Sequence, residues 1–155
     1  MTSDMQAALG TIEPGDVVVT ESGERYGQAM SDGRHLVVAD EPTEAGGGDT
    51  GPSPYALLLM ALGSCTSMTL RMYAQRSGWP LTGIRVRLKH FRGHAADAEA
   101  LGEGAFLDRI ERVIELDGPL DEVQRARLIK ISESCPVHRT LSHRTLINTS
   151  LAPAE

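Results

Sequence analysis

The side chains best suited to chemistry in this chain are its two cysteines, Cys65 and Cys135. A thiolate is a nucleophile and a metal ligand, and two thiols can exchange between dithiol and disulfide. His138 follows Cys135 by three residues, and His143 lies a little further on. Either could act as the base for a cysteine nucleophile, although a lone histidine is more often satisfied structure. Three readings of the cysteines are therefore open. They are small hydrophobes packed in a core, a thiol redox pair, or a Cys135/His138 hydrolytic nucleophile. Two other groupings carry less. His94, Asp97 and Glu99 are metal-ligand types without tight helical spacing, so no metal is expected. Gly46-Gly47-Gly48 lacks the lysine of a phosphate loop and reads as a flexible connection.

The elements that must position the cysteines follow from pattern. Ser53-Pro54 is a helix start, with serine able to cap free N–H groups and proline harmless at the first helical position. Gly78 and Trp79-Pro80 are the stop, so a long helix is predicted over residues 53–77 with Cys65 at its centre. Leu57 to Leu62 leave its first half apolar all round, which predicts a buried helix. Gly63, Ser64 and Thr66 beside Cys65 would let a backbone or ligand approach closely. Mid-helix placement gives Cys65 no help from a helix N-terminus, so an active thiolate there needs a cation from elsewhere in the fold. Cys135 can sit at the start of a short helical turn opened by Pro136.

Before the helix, residues 16–20, 25–30 and 35–39 read as a three-stranded meander, with a turn at 31–34. Residues 1–15 show no periodicity and read as a loose arm ahead of a single domain over 16–151. After the helix, Ile84, Val86 and Leu88 alternate with Arg85, Arg87 and Lys89 in a half-buried strand. Residues 93–105 read as a loop, and 108–116 as a strand in which Arg112 interrupts the apolar face. A helix over 120–134 and a last strand over 144–151 complete the order βββ-α-ββ-α-β, an α+β fold.

The net charge of −6 over 155 residues, with no basic cluster, excludes ordinary nucleic-acid binding. No signal-peptide pattern is present, and polar residues interrupt the central helix as a membrane span. A cytoplasmic location is expected, and in a reducing compartment a cysteine pair is more often redox-active than structural.

The run GPSPYALLLMALGSCTSMTLRMYA, followed by SCPVHRTL, resembles the OsmC/Ohr family of thiol peroxidases. The likeness is to the OsmC-like branch that also occurs fused to α/β-hydrolases, and it extends from about Asp16 to Leu151. The resemblance implies an intertwined homodimer with a long buried central helix and an active site at the subunit interface. It implies an antioxidant, stress-response activity on organic hydroperoxides. Cys65 would be the peroxidatic thiolate and Cys135 the resolving thiol. Arg25, in GERYGQ, would activate Cys65, with Arg34 as the alternative. The resemblance implies no bound cofactor, only an external dithiol reductant such as lipoamide. The chain departs from the family where a glutamate should open the central helix to hold the arginine. Pro54-Tyr55-Ala56-Leu57 contains no carboxylate, and Glu24, Glu41 and Glu44 are the substitutes. A non-enzymatic small-molecule-binding protein with slow thiols is the alternative function.

Overall fold

The computed structural model describes residues 2–23, 25–92 and 108–152. The chain divides into two compact units, Met1–Leu58 and Leu59–Glu155.

The first unit opens with a helix, α1 (Thr2–Leu9), where the sequence suggested a loose arm. No amphipathic period announces it. It packs on the sheet that follows, and Leu9 is buried. The sheet is the expected antiparallel meander, β1 (Val18–Glu21), β2 (Gln28–Ser31) and β3 (Leu36–Ala39), paired in sequence order. Ala29 and Ser31 are buried, and their cross-strand partners Val38 and Leu36 share that face. Val19 and Val37 stand on the exposed side. The β2–β3 turn is closed by Asp32, whose carboxylate accepts from the amides of Arg34 (2.9 Å) and His35 (2.7 Å), with Gly33 at φ 85°.

The glycine-rich segment 40–51 is organised rather than loose. Asp40 is buried, and its carboxylate accepts from the amides of Glu41 (2.8 Å), Gly48 (2.9 Å) and Thr50 (3.3 Å) and from the Thr50 hydroxyl (2.9 Å). Burial pushes this carboxyl up, and the four hydrogen bonds outweigh it, so its pKa is lowered. Two glycines are required by close approach. A Cβ on Gly47 would lie 1.8 Å from the Glu41 carbonyl oxygen, and one on Gly51 2.5 Å from that of Val38. A single 3₁₀ turn, Thr43–Ala45, lies within the segment.

The central helix α2 (Pro54–Arg76) starts and stops where the sequence placed it. The Ser53 hydroxyl accepts from the Ala56 amide (3.3 Å). At the far end Gly78 has φ 66°, its amide donates to Gln75 O and the Trp79 amide to Ala74 O, which is a Schellman closure. At about 1.5 Å per residue, this helix spans roughly 35 Å. Within one chain it buries a stripe and not its whole circumference. Leu62, Gly63, Thr66, Leu70 and Ala74 are buried, whereas Met60, Met68 and Met72 are 58%, 65% and 60% exposed. Among the described residues α2 is the one helix long and apolar enough to cross a membrane, and the core helix of a soluble protein meets the same measure.

In the second unit, β4 (Gly83–Arg92) and β5 (Asp108–Asp117) form a two-stranded antiparallel ribbon. Alternation fixes its faces as expected: Ile84, Val86, Leu88 and His90 pair with Leu116, Ile114, Arg112 and Ile110 on the inner side. Gly63 lets the helix approach this face, for a Cβ there would meet Leu88 Cδ1 at 2.9 Å. Leu70 and Ala74 build the core with Leu81, Leu120 and Leu128. Helix α3 (Glu122–Ser132) begins with a capping box in which the Gln124 amide donates to Asp121 (2.7 Å) and the Asp121 amide to the Gln124 side chain (3.1 Å). Helix α4 (Pro136–Ser142) follows with Cys135 at its N-cap.

The strand expected over 144–151 does not form. Leu146, Ile147 and Leu151 are 84%, 82% and 96% exposed, and among the described residues no strand pairs with them. A strand needs a neighbour to satisfy its amides and carbonyls. Among the described residues the order is therefore α-βββ-α-ββ-α-α, still an α+β fold. The loop predicted over 93–105, with His94, Asp97 and Glu99, lies outside the described residues.

Candidate active site

The second unit brings the two cysteines together. Cys65 lies in the middle of α2, partly buried, and Cys135 is fully buried at the start of α4. Both are free thiols, and each acts on the other's ionisation, with opposite outcomes for the two. Burial, and then the neighbouring Cys135 sulfur, push the Cys65 thiol up. Burial pushes Cys135 up as well. The Cys65 S–H, the amides of His138 and Val137 and the Thr66 hydroxyl outweigh it, so its pKa falls below the ordinary 9.0. Within this unit the first proton of the pair therefore leaves from Cys135, as expected for a sulfur facing the amides that open a helix. At Cys65 the Val137 amide and the Thr69 hydroxyl pull the other way but do not outweigh burial and the Cys135 sulfur, and the amides of its own helix are already spent on carbonyls one turn back.

Arg112, Thr66 and Ser132 frame the pair; of these the sequence singled out only Thr66, as a small neighbour of Cys65. Arg112 reaches inward from β5 and donates to Thr66 Oγ1 (2.9 Å), to Ser132 Oγ (3.0 Å) and to the Ser132 carbonyl (3.4 Å). Thr66 and Ser132 are themselves buried. No carboxylate forms an ion pair with Arg112 among the described residues. The signal was present in the sequence as an arginine in register with Ile110, Ile114 and Leu116 on an otherwise apolar face. Thr69 completes the surroundings, donating to the Cys65 carbonyl at 2.8 Å.

Arg25 belongs to the first unit. It lies ahead of β2 and not within it, in the turn between β1 and β2, with φ 49°. The Ser22 amide closes that turn on Gly27 O (2.9 Å), so pairing resumes only at Gln28. The Arg25 guanidinium donates to the carbonyls of Gly47 (3.2 Å) and Gly46 (3.4 Å) on the Asp40 loop. Arg34, the alternative, is exposed in the β2–β3 turn. Glu41 and Glu44 flank the same loop, and Glu24 lies outside the described residues.

The hydrolytic arrangement finds no matching geometry. Among the described residues no hydrogen bond joins the ring of His138 or His143 to a thiol, and His143 Nδ1 lies 2.7 Å from the Arg139 carbonyl. An open groove of about 410 Å³ between α3 and α4 is lined by Arg127, Lys130, Glu133, His138, Arg139 and His143, but by neither cysteine. Among the described residues no group of three or more His, Cys, Asp and Glu side chains is placed to hold a metal ion.

A family model described as OsmC-like protein matches residues 46–150, a span that includes both cysteines, Thr66, Arg112 and Ser132. No curated protein matches the chain. Among solved structures, an OsmC-like protein from Mycoplasma pneumoniae superposes with a TM-score of 0.67 at 22% identity, covering 81% of this chain and 85% of that one. An organic hydroperoxide resistance protein from Legionella pneumophila gives 0.59 at 18% identity, covering 82% and 89%. The organic hydroperoxide resistance protein OhrB of Bacillus subtilis gives 0.55 at 20% identity, covering 82% and 90%. At these identities the likeness establishes the shared fold.

Proposed function

Because the chain belongs to the OsmC-like protein family, we propose that it is a thiol-dependent peroxidase that reduces organic hydroperoxides through Cys65 and Cys135. The observation that carries this reading is the presence of two free thiols, one from mid-α2 and one from the start of α4, close enough that each acts on the other's ionisation. Two structural neighbours are themselves named organic hydroperoxide resistance proteins.

In the proposed cycle the Cys65 thiolate attacks the distal oxygen of ROOH. The O–O bond breaks, RO⁻ leaves and takes a proton to become the alcohol, and Cys65 becomes a sulfenic acid. The Cys135 thiolate then attacks the Cys65 sulfur, the S–O bond breaks, and the oxygen leaves as water after gaining a proton. An external dithiol such as dihydrolipoamide returns the disulfide to two thiols and is itself oxidised to its cyclic disulfide, lipoamide. The lowered pKa of Cys135 suits the second step, since a resolving thiol must be ionised when the sulfenic acid forms.

The first step needs a Cys65 thiolate, whereas its surroundings in the second unit push that thiol up. In this reading Arg25 supplies the missing cation. Its guanidinium stays charged at every relevant pH and can bond both a thiolate and a peroxide oxygen. The glutamate that would hold such an arginine is absent from the first turn of α2, and the carbonyls of Gly46 and Gly47 hold it instead. The exposed Met60, Met68 and Met72 on α2 and the exposed Leu146, Ile147 and Leu151 support a homodimer in which a second copy covers this apolar surface. The chemistry requires no resident cofactor, and a reducing cytoplasm would keep both thiols in the starting state.

The raised pKa of Cys65 favours one rival, a small-molecule-binding protein whose thiols react slowly. The two readings separate in a turnover assay with an alkyl hydroperoxide and dihydrolipoamide. A peroxidase turns over, is abolished by Cys65→Ser, and loses the Cys65 thiolate near neutrality in Arg25→Ala. A binding protein consumes no peroxide and is indifferent to both changes.

A further inference from the structure

Acidic side chains outnumber basic ones in this chain, 21 to 15, yet the charge is not spread evenly. From Ser134 to Ala152 there is no acidic residue, while Arg139 and Arg144 fall in that stretch together with His138 and His143. On α3, Arg127, Lys130 and Ile131 recur at the spacing that keeps to one face of a helix. That face and the side of α4 bearing His138 and Arg139 wall the open groove of about 410 Å³, in which Glu133 is the one carboxylate. A second open hollow of about 420 Å³ adjoins it, sharing Arg139 and His143 and adding Arg144 but no acid.

The cations of this groove are not spent on protein carboxylates. Among the described residues no ion pair involves Arg127, Lys130, Arg139 or Arg144, whereas Arg85 and Arg87 on the β4–β5 ribbon both pair with Glu115. Arg127 is also held in place. Its Nε donates to the Tyr73 hydroxyl (3.0 Å), its guanidinium carbon lies 5.6 Å from the centre of that ring, and Tyr73 packs against the core. Its two terminal nitrogens have no hydrogen-bond partner among the described residues, and such a pair can grip a carboxylate or phosphate with two parallel bonds. His143 is oriented as well. Its Nδ1 lies 2.7 Å from the Arg139 carbonyl and so carries a proton, which leaves Nε2 as the ring atom open to a ligand. Four permanent cations around one carboxylate repel one another, and a bound anion relieves that repulsion.

We propose that the α3–α4 groove is a binding site for a small polyanion, a molecule that presents clustered carboxylate or phosphoryl oxygens. Lys130 and Arg139 supply charge from the two walls, and the Arg127 fork supplies the directional contact. Glu133 is the opposing charge that limits affinity. A volume of about 410 Å³ is at the small end of ligand sites and suits a tricarboxylate or a diphosphate. Neither cysteine lines the groove, so the site stands whether or not the chain is a peroxidase.

The test is isothermal titration calorimetry of the reduced full-length protein at low salt, with pyrophosphate and, separately, citrate. At least one of the two saturates a single site with a dissociation constant below about 1 mM. Tighter binding of pyrophosphate identifies a phosphoryl ligand, and tighter binding of citrate a carboxylate one. Lys130→Gln and Arg139→Gln each weaken binding roughly tenfold, the loss of one charge-assisted contact. Glu133→Gln tightens it several-fold, a gain that damage to the fold cannot imitate. Arg87→Gln, which removes an exposed cation outside the groove, leaves the affinity within about twofold. All four positions are exposed, so these variants test the site and not the core. No saturation by either anion up to about 10 mM overturns the proposal. So does a loss with Arg87→Gln as large as with the groove variants, or a Glu133→Gln variant that binds no tighter.

Discussion

Replacing Gly47 with alanine tests how Arg25 is held without touching either cysteine or the arginine itself. An alanine Cβ at this position would lie 1.8 Å from the backbone oxygen of Glu41, and neither atom belongs to a side chain that can swing aside. Carbon and oxygen do not approach closer than about 3 Å without severe repulsion, so the 41–47 backbone must open by more than an ångström. The hydrogen bonds from Arg25 to Gly47 O and Gly46 O are already 3.2 and 3.4 Å long. Displacement on that scale takes both beyond hydrogen-bond range. A hydrogen bond to a charged group contributes about 1.5–3 kcal/mol, and because Arg25 is exposed we take the low end. About 1.4 kcal/mol corresponds to tenfold in rate. Gly47→Ala should therefore slow Cys65 oxidation by tert-butyl hydroperoxide roughly tenfold, read by stopped-flow loss of thiol, while the rate of Cys135 alkylation by iodoacetamide stays unchanged. An unchanged Cys65 rate in a variant whose loop has demonstrably moved would refute the idea that these carbonyls hold a catalytic arginine.

Other consequences are as direct. Leu70→Ala empties a fully buried position in the core of the second unit and should cost about 2–5 kcal/mol in urea denaturation; a loss under about 1 kcal/mol would mean the core collapses onto the gap. Cys135→Ser should leave the first oxidation of Cys65 intact but strand the sulfenic acid, so that excess peroxide drives it to sulfinic and sulfonic forms visible by mass; clean recovery of the Cys65 thiol on adding dithiol would contradict a resolving role. Asp40 has a lowered pKa, so its stabilising contribution is present above the ordinary carboxylate range and is lost as pH falls through its folded value. Asp40→Asn should accordingly lower stability near neutrality and flatten the acid limb of the stability profile, measured by thermal unfolding at a series of pH values.

Much of the frame was legible because local chemistry and tertiary need agree. Ser53-Pro54 and Gly78 bound α2 in the sequence and in the structure, and the alternation of Ile84, Val86 and Leu88 predicted which face of β4 turns inward. Asp121 and Gln124 spell out a capping box in a stretch read from the sequence as a helix. What was not legible depended on partners distant in sequence. Arg112 looked like a blemish on an apolar face until Thr66 and Ser132, 46 and 20 residues away, were seen to accept its donors. The 144–151 segment has strand-forming residues, but among the described residues no strand pairs with it, and composition cannot supply a partner. Helix α1 failed the opposite way, since its docking on β1 and β2 rather than any amphipathic period holds it. The glycine-rich loop misled because glycines needed for close backbone approach look like glycines that merely permit motion.

The redox couple of Cys65 and Cys135, driven by an organic hydroperoxide, stands at the centre of the proposed function. Its most direct test is to mix the reduced protein with one equivalent of tert-butyl hydroperoxide or, separately, hydrogen peroxide, quench at intervals, and map the products by peptide mass. A Cys65–Cys135 disulfide should appear rapidly, faster with the organic peroxide, and be reopened by dihydrolipoamide. Thiols that survive for hours with both oxidants would contradict it and leave a binding protein on this fold.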